Sequence, residues 1–310
     1  MDTTGPNTPH SRQNHAGTHA GAPAESHADA QAAHAHAHTG AHAGADAGTV
    51  AMVEMLELDA EVLGTHLSEL TAWLSELTDR EPGHIVDLGS GPGTGSIALA
   101  RRFPRADVTA MDLSPHMLHR LSERASALGL ADRVRAVRAD LTEDWPQLGT
   151  VDLVWAASSL HDMADPDRVL ASTFDALRPG GLLAVTEMDF FPRFLPDDTG
   201  VGRPGLEARV HAALNKGPAL DWTEHLARAG FALEAERPFT IDLPAPLPPA
   251  TAHYARTCLR RLRSHLGDGL PADDLTALDT IVDDEGPHNV LRRTDLTVRT
   301  TRTTWVARRP

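Results

Sequence analysis

The chain has 310 residues, of which 41% are hydrophobic and 4% aromatic, so it is long enough for one large α/β domain or two small ones. Its 28 Lys and Arg residues stand against 43 Asp and Glu residues, and the resulting net charge of −15 disfavours a nucleic-acid partner because it repels phosphate backbones. The single cysteine, Cys258, excludes an internal disulfide and a cysteine-based zinc cluster.

No apolar run approaches the roughly 18 residues of a membrane span. The start of the chain also lacks the apolar segment of a secretory signal. We therefore expect a soluble, cytoplasmic protein without a membrane partner. Its oligomeric state does not follow from the sequence.

Residues 1–49 differ in composition from the rest of the chain. They contain eight His and fourteen Ala residues but no Leu, Ile or Phe. Such a segment cannot bury enough apolar surface to offset its ordering entropy, so it is predicted to be a disordered tail. His34, His36 and His38 have a spacing that could hold a transition metal loosely. A low-complexity tail without a metal site fits the composition better, and we predict no metal site.

Residues 50–80 are predicted to form a helical cover of one or two helices. Leucines recur there at three-, four- and seven-residue steps, which places them on one helical face: Leu56, Leu63, Leu67, Leu70, Leu74 and Leu77. The segment Glu81-Pro82-Gly83 ends this region.

Strand and helix patterns alternate from there to residue 189. Strands are expected at residues 84–88, 107–111, 133–138, 151–156 and 182–187. Helices are expected between them at residues 96–102, 115–129 and 165–177. This alternation predicts an α/β fold, a doubly wound and mostly parallel sheet with helices on both faces.

The C-terminal third is less regular. We expect helices at residues 205–214 and 222–229, then a strand at 231–243. A Pro-rich break at 244–249 leads into a helical insert, and a Thr- and Val-rich strand at 296–306 closes the chain. The predicted units are the tail 1–49, the cover 50–80, the core 81–243, a helical lid insert 244–290 and an antiparallel terminal strand of the core in 291–310.

The segment from Asp87 to Gly95 (Asp-Leu-Gly-Ser-Gly-Pro-Gly-Thr-Gly) carries most of the functional information. An apolar strand, packed glycines and then a helix are typical of a nucleotide-binding first turn. The dinucleotide pattern G-x-G-x-x-G/A fits only from Gly93 onward, well past the end of the strand. The alternative is an acid at the strand end followed by Gly89, Gly91 and Gly93. A carboxylate beside a pyrophosphate is unfavourable, whereas beside the ammonium of a methionine moiety it is favourable, so Asp87 favours S-adenosylmethionine.

This segment resembles motif I of class I S-adenosylmethionine-dependent methyltransferases, especially the small-molecule enzymes of the ubiquinone/menaquinone-biosynthesis type. Later segments resemble that family in the right order over roughly residues 80–190: the strand ending at Asp112, the pair Asp140-Leu141, the run from Val151 to His161, and the turn before residue 182. The resemblance implies a Rossmann-like fold and S-adenosyl-L-methionine as the cofactor. The implied cofactor-binding residues are Asp87, Gly89, Ser90, Gly91, Gly93, Asp112, Leu113, Met117, Asp140, Leu141, Ala156 and Ser158.

In that family pattern each acid has its own role. Asp112 takes both ribose hydroxyls, and it stands 19 residues after Gly93, near the spacing of a ribose-binding acid. Asp140 accepts from the adenine amine. Taken singly, Asp87 or Asp112 could equally cap a helix or satisfy a loop amide, and Asp140 could begin a turn.

Methyl transfer from a sulfonium needs mainly positioning, and it needs a base only when the acceptor must lose a proton. His161, just beyond the fourth strand, is the candidate catalytic base. It could instead pack structurally or contact the cofactor. Glu187 and Asp189 are weaker candidates, and Tyr254 and His253 in the insert could reach the acceptor. We predict that the cover and the insert enclose that acceptor between them.

Absent motifs narrow the class further. Ala156-Ala157-Ser158-Ser159 follows the fourth strand, where enzymes that methylate the amino groups of DNA bases or glutamine amides carry Asp/Asn-Pro-Pro-aromatic. Metal-dependent catechol-type enzymes carry an Asp at the place of Ala156 and Ala157. A bound Mg²⁺ is therefore not expected. Arg256, Arg260 and Arg263 share a helical face that is either an anionic acceptor pocket or a solvated surface.

The sequence thus predicts a methyltransferase that transfers a methyl group to a small-molecule acceptor, at O, N or C. Two alternatives stay open. One is a non-catalytic module that binds S-adenosylmethionine, and the other is a nicotinamide-dependent oxidoreductase, which Asp87 disfavours.

Overall fold

The computed structural model describes Met1 and residues 47–143, 145–214, 221–267 and 269–310. The predicted disordered tail, with its histidines, lies almost entirely outside the described residues. Among the helices of the described part, none has both the length and the apolar character of a membrane crossing.

A seven-stranded sheet organises the chain. Its strands are β1 (His84–Leu88), β2 (Asp107–Asp112), β3 (Val134–Arg138), β4 (Val151–Ala157), β5 (Leu177–Met188), β6 (Ala232–Asp242) and β7 (Arg299–Arg308). Their order is β3-β2-β1-β4-β5-β7-β6. The first five are parallel, and β7 runs antiparallel to both of its neighbours, β5 and β6. The predicted α/β fold is confirmed, including the antiparallel final strand.

Nine α-helices lie among the described residues: α1 (Ala47–Val62), α2 (Gly64–Leu77), α3 (Thr94–Arg102), α4 (Pro115–Ala127), α5 (Pro166–Ala176), α6 (Leu206–Leu214), α7 (Thr223–Arg228), α8 (Thr251–Leu266) and α9 (Ala272–Val282). Apolar residues of α2, α3 and α4 pack on one face of the sheet, and those of α5 and α7 pack on the other. The sheet is therefore covered on both faces, which explains why its central strands are nearly continuous apolar runs.

A third apolar cluster joins α1, α6, α8 and α9. Val62 of α1, Leu259 of α8 and Leu278 of α9 are all buried there. Arg256 and Arg263 of α8 pair with Asp284 and Asp279 at 2.9 and 2.7 Å. The arginine face of the insert thus binds acidic residues in and just after α9, and it does not form a pocket for an anionic acceptor.

Strand β5 begins earlier than the sequence indicates. The segment Arg178-Pro-Gly-Gly was expected to be a turn ahead of the strand, yet the strand already begins at Leu177. Gly180 N donates to Arg309 O at 2.7 Å, and Arg309 N donates to Gly181 O at 2.9 Å. Pairing with the far end of β7 therefore extends the strand through its glycines.

Candidate active site

The glycine loop connects β1 to α3. Gly89, Gly91 and Gly93 have φ values of 65°, 53° and 83°, in the left-handed region that side chains rarely adopt. A Cβ on Gly89 would lie 2.6 Å from Ser159 Cβ, and one on Gly93 would lie 2.5 Å from Leu121 Cγ. Glycine is therefore required at these two positions both by the backbone and by the packing.

Asp112, at the end of β2, holds the loop from the side. Its Oδ2 accepts from Gly91 N at 2.8 Å, and its Oδ1 accepts from Ser114 N at 2.8 Å. A carboxylate oxygen can accept more than one hydrogen bond, so this half-buried group keeps capacity for a ligand hydroxyl. Asp112 therefore satisfies loop amides, as one alternative from the sequence proposed, and it also stands where a ribose acid would stand.

The side chain of Asp87 is buried, and the residue is only 2% exposed. Burial, reinforced by the charge of Asp112, raises its pKa to about 7 although Ser96 Oγ donates to it at 2.5 Å. Ser90 Oγ and Trp155 Nε1 are also buried here and have no hydrogen-bond partner among the described residues. Buried polar atoms without partners are unfavourable unless a ligand pairs with them. Asp87 and Ser90 Oγ can accept from an amino-acid ammonium, whereas Trp155 Nε1 can only donate, as to a ligand carboxylate.

The expected adenosine side lies at the ends of β2 and β3. Ala139 N donates to Asp112 O at 3.1 Å and brings the two strand ends together. Asp140 is exposed, and Thr142 donates to its Oδ1 through both the hydroxyl, at 2.6 Å, and the backbone N, at 3.0 Å. These bonds lower the pKa of Asp140, which begins a turn as the alternative interpretation allowed. Leu113 is exposed, whereas Met117 and Leu141 are buried beside it.

The two residues expected from β4 lie on opposite sides of the sheet. Ala156 is fully buried in the core with α5 and α7. Ser158 lies at the cavity described below, with a φ of 51° and its N donating to Thr186 O at 2.8 Å. Strand alternation turns Trp155 and Ala157 toward the same cavity.

His161 forms a buried pair with Glu187. The distance between His161 Nδ1 and Glu187 Oε2 is 2.7 Å, and Asp162 Oδ1 lies 3.5 Å from the other ring nitrogen. Burial opposes the charged ring, but the Glu187 charge and its hydrogen bond outweigh it and raise the pKa of His161 to about 9. The ring therefore holds its proton at neutral pH. Asp189, another candidate, accepts from Thr303 Oγ1 at 3.1 Å.

A cavity of about 180 Å³ adjoins Asp87 and the glycine loop. The N-terminal helices and α8 form its walls opposite the strand ends, so the cover and the insert enclose it together. Tyr254 of the insert lines it, while His253 and His161 do not. Cys258 also lines it, and burial raises the pKa of this thiol well above its usual range, which disfavours a nucleophilic thiolate.

Asp59, His66, Trp155 and Arg302 are among the lining residues that were not anticipated as site residues. Asp59, His66 and Arg302 each belong to a regular helix or strand with no motif around them, whereas Trp155 lies within the family-like run from Val151 to His161. Among the described residues, no group of three or more His, Cys, Asp or Glu has the arrangement of a metal site.

The chain is similar in sequence to known methyltransferases. Residues 85–181 match the family model described as a methyltransferase domain. The malonyl-[acyl-carrier protein] O-methyltransferase of Laribacter hongkongensis is 32% identical over 56% of this chain and 59% of its own length. The trans-aconitate 2-methyltransferase of Paracidovorax citrulli is 39% identical over 39% of this chain and 46% of its own length. The chain thus spans only about half the length of these curated relatives.

Among solved structures, the YcgJ protein of Bacillus subtilis is 13% identical, with a TM-score of 0.49, over 79% of this chain and 99% of its own.

Proposed function

We propose that the chain transfers a methyl group from S-adenosylmethionine to a small-molecule acceptor, because residues 85–181 match the family model described as a methyltransferase domain. The observation that carries this proposal is the buried Asp87 carboxylate at the wall of the cavity, next to the glycine loop. A carboxylate in this position attracts an ammonium and repels a pyrophosphate. The nicotinamide alternative is correspondingly disfavoured.

With one exception, the cofactor residues are assigned as the sequence predicted them. Asp87 binds the methionine ammonium, and the backbone of Gly89, Ser90, Gly91 and Gly93 approaches the cofactor closely. Asp112 takes the ribose hydroxyls. Leu113, Met117, Asp140 and Leu141 surround the adenine, and Ser158 lies along the methyl donor. Ala156 was expected there too, but it is buried in the core with α5 and α7 and is no longer assigned to the cofactor. When bound, the cofactor supplies a methyl group already activated by a sulfonium, so these residues need mainly to hold and orient it and to exclude water.

The acceptor is a small molecule, and the cavity size supports this. About 180 Å³ is below the roughly 300–1,000 Å³ of drug-sized ligand sites. The names of the two relatives refer to a malonyl group and to trans-aconitate, both of which bear carboxyl groups. Carboxylates therefore belong in any acceptor screen, together with hydroxyl, amine and carbon nucleophiles. The cytoplasmic location and the absence of a nucleic-acid partner remain predictions from the sequence.

Calorimetry tests the cofactor assignment. S-adenosylmethionine and S-adenosylhomocysteine should bind with micromolar-range affinity, roughly −8 kcal/mol, and NADH should not bind. Asp112→Ala should weaken binding by about 1–3 kcal/mol because the ribose hydroxyls lose a charged acceptor. Asp107→Ala, at the opposite and exposed end of the same strand, is the matched control and should bind normally. NADH binding, or an Asp112→Ala protein with unchanged affinity, would overturn the assignment.

Turnover then separates an enzyme from a non-catalytic module. Release of S-adenosylhomocysteine is measured over the acceptor screen. A protein that binds S-adenosylmethionine but releases no S-adenosylhomocysteine with any acceptor class would support the non-catalytic module instead.

A further inference from the structure

One end of the cavity is polar. Its polar residues come from α1 and α2, from α8 and from β7, which are far apart in the sequence. Asp59 of α1 accepts at its Oδ1 from the Tyr254 hydroxyl of α8 and from Arg302 Nη2 of β7, both at 2.5 Å. His66 of α2 lies at the same cavity. We call these four residues the polar node. Apart from the corner at Asp87 and Ser90, apolar side chains dominate the rest of the wall, among them Met55, Leu63, Leu70, Met188, Phe191 and Pro192.

The polar node has unused hydrogen-bonding capacity. Arg302 Nε and His66 Nε2 are both buried and have no partner among the described residues. Burial, helped by the charge of Arg302, lowers the pKa of His66 to about 4, so its ring is neutral at neutral pH and can donate or accept. Leaving two buried polar atoms unpaired is unfavourable, and a ligand oxygen that accepts a hydrogen bond from these nitrogens would remove this cost.

The polar node carries no net charge. The side chain of Arg302 is only 15% exposed, and that of Asp59 only 19%, so the guanidinium and the carboxylate neutralise each other in a largely dry site. A second carboxylate would be attracted by Arg302 and repelled by Asp59, and it would also lose its hydration. A hydroxyl or carbonyl oxygen loses far less hydration and can pair with the two unused nitrogens.

We propose that the polar node binds the hydroxyl or carbonyl oxygen of a small, uncharged and mainly apolar methyl acceptor, and that it discriminates against carboxylates. This inference rests on the methyltransferase function proposed above and narrows its substrate class. It differs from what the names of the two relatives would suggest. Asp59, His66, Tyr254 and Arg302 then act as specificity residues.

Three ring compounds of similar size test the proposal: phenol, benzoate and toluene. Their binding to the full chain saturated with S-adenosylhomocysteine is measured by calorimetry at neutral pH. Phenol should bind about tenfold more tightly than toluene, because its hydroxyl pairs with the polar node. Benzoate should bind no better than toluene. Phenol binding that equals toluene binding, benzoate binding that equals phenol binding, or no binding of phenol at millimolar concentration would each overturn the proposal.

Asp59→Asn is the sharpest variant. It keeps the shape and an oxygen for Tyr254 but leaves the charge of Arg302 uncompensated, so benzoate should bind at least about tenfold more tightly than to the unaltered chain. Asp279→Asn is the matched control, because it removes the acid of another Asp–Arg pair, with Arg263, outside the cavity. Its probe affinities should not change. Unchanged benzoate affinity in a folded Asp59→Asn protein would contradict the proposal.

Tyr254→Phe covers the case in which Asp59→Asn does not fold. It keeps both charges and removes only the hydroxyl that holds Asp59. The affinity for phenol should therefore fall about tenfold, while benzoate stays excluded. Phenol binding that does not change in this variant would count against the polar node. S-adenosylhomocysteine binding is measured in the same samples. If the unaltered chain binds S-adenosylhomocysteine and does not discriminate the probes, the polar node proposal fails alone; if the unaltered chain does not bind S-adenosylhomocysteine, the methyltransferase proposal fails.

Discussion

Asp87 shows how burial makes a single residue sensitive to pH. Its pKa of about 7 lies above the ordinary value of 3.8, so ionisation destabilises the folded protein without a ligand. The free energy of unfolding should therefore fall as the pH rises from about 4 to about 7. A ligand ammonium pairs with the ionised form, so cofactor affinity should change in the opposite direction.

We predict that S-adenosylmethionine affinity falls by up to about tenfold per pH unit as the pH drops below about 7. Asp87→Asn should remove this dependence and weaken binding at pH values above 7. Calorimetry across this pH range measures both effects, with the exposed Asp107→Asn as a control. An unaltered chain whose affinity does not vary with pH would refute the pairing of Asp87 with the ammonium.

The His161–Glu187 pair determines when His161 can act as a base. With a pKa of about 9, the imidazole accepts a proton only in the small deprotonated fraction at neutral pH. If it is the base, turnover should rise as the pH increases toward 9. Removing the charge of Glu187 lowers the pKa of the ring, so the rise should occur at lower pH in Glu187→Gln.

For an acceptor that loses a proton, His161→Ala should lower turnover about 10²–10⁴-fold without a comparable loss of cofactor affinity. Steady-state kinetics and calorimetry on the same protein measure the two quantities separately. Turnover close to normal in this variant would remove His161 from the catalytic residues and leave it a structural role.

At the scale of elements, the insert packs into the protein as a wall of the core. Leu259 of α8 is fully buried within the apolar cluster that joins α1, α6, α8 and α9. Deleting residues 250–283 would therefore remove core as well as any lid, so a point substitution is the cleaner test.

Leu259→Ala should lower the free energy of unfolding by about 2–5 kcal/mol because it leaves a cavity in that cluster. Leu259 does not line the cavity next to Asp87 and the glycine loop, so the folded variant should keep its affinity for S-adenosylhomocysteine. Denaturant unfolding and calorimetry check the two parts. Leu233→Ala, at a leucine that is 42% exposed on β6, should change stability little. Equal effects of the two substitutions would show that α8 is only loosely attached.

At the scale of the whole molecule, the tail is predicted to contribute nothing to the folded unit. Deleting residues 2–46 should leave the melting temperature and the cofactor affinity unchanged, because the segment has no core-forming side chains. Thermal unfolding and calorimetry of the shortened chain measure this. A drop of several degrees would mean that the tail packs on the folded part.

The sequence by itself determined the order of the strands and helices, the glycine loop and the acids at the ends of β1 and β2. These features are local, since hydrophobic periodicity and loop glycines depend on neighbouring residues only. The extension of β5 through Arg178-Pro-Gly-Gly was missed because β7, more than a hundred residues later, pairs with it.

Only the tertiary structure decided which side chains share the cavity. Asp59 and Arg302 are 243 positions apart and meet because β7 inserts between β5 and β6 and places Arg302 opposite Met188. Strand β4 ends at Ala157, and Ser158, with a φ of 51°, departs from the strand alternation and so lies apart from Ala156. Burial raises the pKa of Asp87, and Glu187 raises that of His161. Strand order, register and desolvation are properties of the packed chain, and a pattern of neighbouring residues does not contain them.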